Sequence, residues 1–111
     1  MLAGAREIAI VTKPRDLEQI KDLLGDGENL GLRLEYFTQE SPRGIVDGLL
    51  KAAPFLGTSR IALALGDNFF HGSGLSVALR DLASQKVGAG ILLKRVFEPD
   101  GFGVAQLGDD G

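Results

Sequence analysis

The feature that most constrains the fold is an alternation of short apolar runs with segments of helical periodicity. Residues 7–12 form a nearly continuous apolar run, the pattern of a parallel strand covered on both faces, and residues 60–65 and 89–96 repeat it. Residues 32–37 alternate apolar and polar side chains like a strand near a sheet edge, and residues 102–107 favour one more short strand. Strands that alternate with helices predict an α/β fold with a mostly parallel sheet and right-handed crossovers.

Three helices are expected between these strands. The first begins after Pro14 and ends at Gly25, a residue type that commonly stops helices. The second is expected to have Ser41 as its cap and Pro42 in its first position, and to end at Pro54. The third has one apolar face, formed by Leu75, Ala78, Leu79 and Leu82.

Composition excludes several classes of function. With 111 residues, 44% of them hydrophobic and 24% charged, the chain fits one globular domain at most, so residues 1–111 are treated as a single domain. The formal charge is −3 and the twelve Lys and Arg residues are scattered, which argues against a nucleic-acid partner. No cysteine is present, and no apolar run approaches the roughly 20 residues that cross a bilayer. We therefore expect a cytoplasmic protein without a membrane partner.

Asp67 is the first candidate functional residue. It follows the apolar run 60–65 within Gly66-Asp67-Asn68, and ligands of open α/β sheets gather beyond the carboxyl ends of the strands. A carboxylate at that position suits Mg²⁺, which takes one or two protein carboxylates and completes its shell with water and phosphate oxygens. The alternative is that Asp67 and Asn68 only start a turn and cap the next element, a common role for both residue types.

Gln39 and Gly44 form a second candidate site, after the strand at residues 32–37. An amide side chain and the exposed backbone of a helix start can read the polar edge of a base, although a cap beside a surface Gln would give the same pattern. His71 has no second histidine or cysteine with which to build a metal cluster, so local packing is the favoured reading. Neither a dinucleotide-binding glycine motif nor a P-loop is present among the 16 glycines.

Five motifs in register give a more specific signal. They are MLAGAREI at residues 1–8, LLGDG at 23–27, QESPRG at 39–44, LALGDNFF at 63–70 and EPDGFGV at 98–104. This order strongly resembles the glucose-1-phosphate thymidylyltransferases of the sugar-phosphate nucleotidylyltransferase family. The resemblance spans essentially the whole chain and implies a partial Rossmann-like nucleotidyltransferase domain, with helices on both faces of a mostly parallel sheet.

The resemblance also implies an activity and a set of site residues. Members of the family join dTTP to glucose 1-phosphate with the help of Mg²⁺, releasing pyrophosphate and forming dTDP-glucose, and they commonly form homo-oligomers. Asp67 matches the metal-binding Asp of the family, Gln39 and Gly44 match residues that recognise thymine, and Gly103 matches a sugar-binding glycine.

The chain departs from the family pattern at several points. The family's G-G-x-G-T-R-L loop and its downstream Lys, which cradle the triphosphate, do not occur in these residues, so we expect an interior part that is inactive or nearly so by itself. Arg43 stands where the family usually has Asp, and Asp47 where it usually has Gln. A carboxylate near the nucleotide is expected to repel phosphate. The missing strand beside residues 7–12 also predicts an unprotected sheet edge and marginal stability.

Two alternatives remain open at this point. A relative that uses UTP or another sugar phosphate would carry the same motifs. A noncatalytic domain that binds a nucleotide or a partner subunit would explain why the glycine-rich loop is not found.

Overall fold

The computed structural model describes residues 4–86 and 88–108. Two parallel strands, β1 (Glu7–Thr12) and β2 (Arg33–Thr38), pair along their full lengths, from Glu7 opposite Arg33 to Thr12 opposite Thr38. The α-helices are α1 (Leu17–Leu24), α2 (Ile45–Leu56) and α3 (Leu75–Ser84), and 3₁₀ turns lie at Pro14–Asp16 and Glu28–Leu30. The unit β1-α1-β2 is therefore a parallel pair with a helical crossover, which is the α/β organisation that the sequence predicts.

Helical segments cover both faces of this small sheet. The hydroxyl of Tyr36 donates a 2.6 Å hydrogen bond to the carbonyl of Gly25, at the end of α1. On the opposite face the ring of Phe37 lies 6.2 Å from that of Phe55 in α2. Because consecutive residues of a strand point to opposite faces, Tyr36 and Phe37 place α1 and α2 on different sides. The expectation of helices on both faces is confirmed.

The buried core is small. Among the described apolar side chains only Leu34 and Ala52 are buried, with 8% and 2% of their surface exposed. The radius of gyration is 15.8 Å, compared with roughly 13 Å for a compact domain of this length. The described residues therefore leave much apolar surface in contact with solvent, and the marginal stability of the chain stays a prediction.

Three predicted strands do not form. Residues 60–65, 89–96 and 102–107 are extended or irregular, and the described part of the chain pairs none of them with β1 or β2. Ile61, Leu63 and Leu65 are 47%, 58% and 42% exposed, so the first of these runs lacks covering helices as well as a neighbouring strand. A strand satisfies its backbone hydrogen bonds only through a partner, and these runs have no partner beside them. The predictions of three further strands are wrong for this structure.

The bounds of α2 also differ from expectation. It begins at Ile45 with Gly44 as its N-cap residue, not at Pro42 with Ser41 as the cap. Gly44 has φ +91°, a value that breaks the helical path between Pro42 and Ile45. At the other end the helix passes through Pro54 and stops at Gly57, whose N–H bonds to the Ala53 carbonyl. Pro54 removes only one hydrogen bond from the last turn, so it does not end the helix.

The other two helices follow the predicted pattern. Gly25, with φ +61°, ends α1 and donates its N–H to the Lys21 carbonyl. In α3 the four predicted apolar residues are half-buried, whereas Val77 between them is exposed. The longest of the described helices, α2, has 12 residues, and no helix in residues 4–86 and 88–108 is long and apolar enough to cross a membrane.

Candidate functional site

A cavity of about 580 Å³ opens at the carboxyl end of the sheet. It begins where β1 and β2 end, and its volume lies within the range of roughly 300–1,000 Å³ that is usual for small-molecule sites. The residues that line it come from the ends of both strands and from two loops, and they are Val11, Thr12, Lys13, Asp16, Gln39, Pro42, Gly66 and Asp67. Two of the predicted site residues, Gln39 and Asp67, thus face one space.

Gln39 is held by hydrogen bonds from its backbone and from its side chain. Its N–H donates to the Thr12 carbonyl over 2.9 Å, which extends the pairing of the two strands by one residue. Its side-chain Nε2 donates to the carbonyl of Gly44 over 3.1 Å and to Oδ2 of Asp47 over 2.9 Å. The predicted base-reading amide is therefore a half-buried group with fixed partners.

Gly44 contributes through its backbone. Its φ of +91° turns the chain into α2, and its carbonyl accepts the hydrogen bond from Gln39. A β-carbon at this position would meet no atom within 4 Å, so the requirement for glycine here is conformational. Gln39 and Gly44, which the sequence predicted as a pair, are in direct contact.

Asp67 reaches the cavity from a loop. Because residues 60–65 are not a strand, Asp67 does not stand at a strand tip; it lies in a turn, where Asn68 donates its N–H to the Leu65 carbonyl. The turn that was the alternative explanation for Asp67 and Asn68 is therefore present. The Asp67 carboxylate is also exposed and lines the cavity. Residues 4–86 and 88–108 contain no group of three or more His, Cys, Asp or Glu side chains that would form a protein-only metal cage.

Lys13 and Asp16 also line the cavity, and sequence reasoning missed both. They follow directly after β1, so the rule that ligands gather at the carboxyl ends of strands would have found them had it been applied to the first strand. Asp16 lies 3.3 Å from the guanidinium of its neighbour Arg15 and is about half exposed. Lys13 is the one cation among the residues that line the cavity.

Two other residues lie apart from this cavity. Gly103 is exposed in the segment after the turn at Asp100 and Gly101, and it is not among the lining residues. Its sugar-binding role stays a prediction. His71 is exposed and lines a separate cavity of about 230 Å³, and its ring lies 6.4 Å from that of Phe69.

Comparison with known proteins identifies relatives of the whole chain. The sequence model of the nucleotidyl transferase family matches residues 1–111. The chain is 37% identical over 110 residues to the glucose-1-phosphate thymidylyltransferase of Neisseria gonorrhoeae, an alignment that covers 99% of this chain and 38% of that protein. Proteins of the same name from Mycobacterium tuberculosis and Xanthomonas campestris pv. campestris are 39% and 38% identical over 111 residues, covering 100% of this chain and 38% of each.

These comparisons confirm the resemblance drawn from the five motifs. The chain spans about 38% of the length of the curated relatives that it matches. Since the family match extends over all 111 residues and agrees with the parallel β1-α1-β2 unit, this chain belongs to the nucleotidyl transferase family.

Proposed function

We propose that this chain is part of an enzyme that transfers the dTMP group of dTTP to glucose 1-phosphate, giving dTDP-glucose and pyrophosphate. The names of the relatives support this assignment, and so does their alignment with the whole chain. The observation on the chain itself that carries the proposal is the cavity at the carboxyl end of the sheet, which is lined by both Gln39 and Asp67.

Each predicted site residue receives a role in this proposal. Gln39 and Gly44 recognise the thymine base through the amide and the backbone of the turn. Asp67 holds Mg²⁺, and Gly103 contacts the glucose. The cationic Lys13 beside them supports an anionic ligand such as a nucleotide phosphate.

The donor set of the cavity fits Mg²⁺. Asp67 and Asp16 both line it, and this ion takes one or two protein carboxylates together with water and phosphate oxygens. When bound, the ion would neutralise part of the phosphate charge and orient the triphosphate. The half-exposed Asp16 and the exposed Asp67 leave room for those phosphate and water ligands.

The reaction itself is a phosphoryl-type transfer. A phosphate oxygen of glucose 1-phosphate attacks the α-phosphorus of dTTP, the bond from that phosphorus to the oxygen bridging to the β-phosphate breaks, and pyrophosphate leaves with the bonding electrons. The residues of this chain would bind the base and position the α-phosphate for that attack. Catalysis of this kind rests mainly on positioning and on stabilising charge.

The same proposal includes a cellular location and an oligomeric state for the complete enzyme. Nucleotide and sugar-phosphate substrates and the lack of cysteine favour a cytoplasmic location. We also propose a homo-oligomer for the complete enzyme, because apolar side chains such as Phe69 and Leu23 are largely exposed in this chain. The proposal includes no nucleic-acid or membrane partner.

Nucleotide binding and pyrophosphate release test the proposal on the 111-residue chain. We expect dTTP to bind in the presence of Mg²⁺ and UTP to compete less well, while pyrophosphate release stays near background because the glycine-rich loop is not among these residues. Stronger competition by UTP would assign the uridylyl relative. A folded chain that binds no nucleotide would contradict the proposal and favour a noncatalytic partner-binding domain.

Two-state unfolding together with measurable turnover would overturn the expectation of an inactive, marginally stable chain.

A further inference from the structure

Asp47 and Gly44 allow the amide of Gln39 only one orientation. Nε2 donates to Oδ2 of Asp47 over 2.9 Å and to the Gly44 carbonyl over 3.1 Å. A carboxylate and a carbonyl are both acceptors with no hydrogen to donate, so only the NH₂ end of the amide can face them. The flipped amide would set Oε1 against two acceptor oxygens and lose both hydrogen bonds.

This arrangement leaves Oε1 of Gln39 as the free end of the side chain. Both hydrogens of Nε2 are engaged, and no side chain or backbone group of the described residues donates to Oε1. A β-carbon built at the buried Gly48 would lie 3.9 Å from that oxygen, an ordinary van der Waals distance, so Oε1 lies beside α2. Since Gln39 lines the cavity, the group that it can offer a ligand there is an acceptor without a donor.

We propose that Asp47 is a positioning residue that makes Gln39 select bases carrying an imide N–H. This inference rests on the proposed function, because it assumes that a base enters the cavity. Thymine and uracil carry a hydrogen on N3, which Oε1 can accept. Cytosine has an unprotonated N3 at the same place, so two acceptors would face each other. A base that offers a ring N–H at this position, as thymine and uracil do, is therefore favoured over cytosine.

The negative charge of Asp47 strengthens the preference for one orientation of the Gln39 amide. A neutral Asn there would accept from Nε2 through its oxygen or donate to Oε1 through its nitrogen, so only the Gly44 carbonyl would still oppose the flipped amide. A carboxylate tolerates only one, and a hydrogen bond to a charged acceptor is about twice as strong as a neutral one. The carboxylate that was expected to repel phosphate is bonded to the amide that would read the uncharged base.

A structural role for Asp47 is the competing explanation. It lies in the first turn of α2, where a negative charge favours the helix start irrespective of any ligand. The two roles differ in what they change. Loss of helix stability would weaken all nucleotides equally, whereas loss of the amide orientation changes the ratio between thymine and cytosine nucleotides.

Competition binding measures that ratio. Dissociation constants for dTTP, dCTP and N3-methyl-dTTP are determined for the 111-residue chain and for Asp47→Asn and Asp47→Leu. We expect the unmodified chain to prefer dTTP over both competitors. The dTTP to dCTP preference should fall about tenfold in Asp47→Leu, which loses the charge-assisted hydrogen bond, and by less in Asp47→Asn, which can still accept a neutral one. Glu18→Gln is the matched control, since it removes a first-turn carboxylate from α1, whose side chain does not line the cavity. An unchanged ratio in both Asp47 variants would overturn the inference.

A measurement without nucleotide keeps the two proposals separate. In ¹H–¹⁵N NMR spectra the side-chain amide protons of Gln39 should exchange with solvent more slowly than those of the exposed Gln19, and the difference should shrink in Asp47→Leu. Equal exchange at Gln39 and Gln19 would refute the positioning role whatever binds. Normal Gln39 protection with no dTTP binding would instead refute the proposed function, and with it the base selectivity.

Discussion

Gly27 lies so close to Leu34 that a β-carbon on the glycine would stand 2.6 Å from Cγ of that leucine. The same β-carbon would lie 3.0 Å from the Leu32 carbonyl oxygen, and Gly27 has φ +89°. Leu34 is one of the two buried apolar side chains of the described residues, so the loop after α1 closes directly over the core. This contact couples the end of α1 to the position of β2.

Substitution of Gly27 by Ala should therefore destabilise the chain strongly. The left-handed backbone costs about 1–2 kcal/mol for a residue with a β-carbon, and overpacking against Leu34 adds about 1–3 kcal/mol. Thermal or urea unfolding of Gly27→Ala measures the sum. Gly31→Ala is the control, because Gly31 also has a positive φ of +66° but no atom lies within 4 Å of its added β-carbon. Equal losses in the two variants would contradict the packing explanation.

Gly48→Ala should have the opposite effect on stability. Gly48 lies inside α2, where Ala is favoured over Gly by up to about 1 kcal/mol, and its β-carbon would make an ordinary 3.6 Å contact with Cγ1 of Val11. The same methyl group would stand 3.9 Å from Oε1 of Gln39, in contact with the acceptor that is proposed to read the base. We expect a higher midpoint of unfolding and weaker dTTP binding. Unfolding curves and binding isotherms on the same preparation check both, and tighter binding would count against the base site.

Asp67→Asn should remove the part of dTTP binding that depends on Mg²⁺ and leave the fold unchanged. The side chain is exposed, and none of the described hydrogen bonds or ion pairs depends on its carboxylate, so the substitution alters charge alone. The measurement is dTTP affinity with Mg²⁺ and with EDTA, alongside circular dichroism. Asp100→Asn provides a control in an exposed turn that does not line the cavity. If the Mg²⁺ effect survives in Asp67→Asn, the residue serves only the turn.

Arg33 should matter more to stability than Glu7, which is one of its two ion-pair partners beside Glu35. The two side chains are 2.8 Å apart across the strand pair, but 62% and 63% of their surfaces are exposed, and such pairs contribute about 0.2–1 kcal/mol. The guanidinium of Arg33 also lies 5.1 Å from the ring centroid of Phe55, which links β2 to α2. Arg33→Ala should thus lower the free energy of unfolding more than Glu7→Ala does. The ion-pair contribution should shrink in 1 M NaCl, while the aromatic contact persists.

The helices were predictable to a useful degree, and one helix boundary shows where local reasoning failed. The apolar face of α3 is as predicted, and Gly25 ends α1 as expected. The start of α2 was placed three residues early, because Ser41 and Pro42 are suitable start residues in isolation. The positive φ of Gly44 and its hydrogen bond from Gln39 move the start, and neither is visible in the local pattern.

The candidate site was predictable residue by residue but not as an arrangement. Gln39 and Asp67 were found from their positions after predicted strands, and the nucleotidyl transferase family model matches the whole chain. Their presence in one cavity, the contribution of Lys13 and the orientation of the Gln39 amide depend on how the loops return to the sheet. Asp47 in particular was expected to repel phosphate, and its hydrogen bond with the Gln39 amide is visible only in the structure.

The sequence by itself determined the family, the helical segments and the strand character of residues 7–12. Only the tertiary structure decided that residues 60–65 and 89–96 stay unpaired and that Asp47 fixes the amide of Gln39. The physical reason is the range of the hydrogen bonds concerned. A helix satisfies its backbone groups within four residues, so its pattern is local, whereas a strand or a binding side chain needs partners that are remote in sequence.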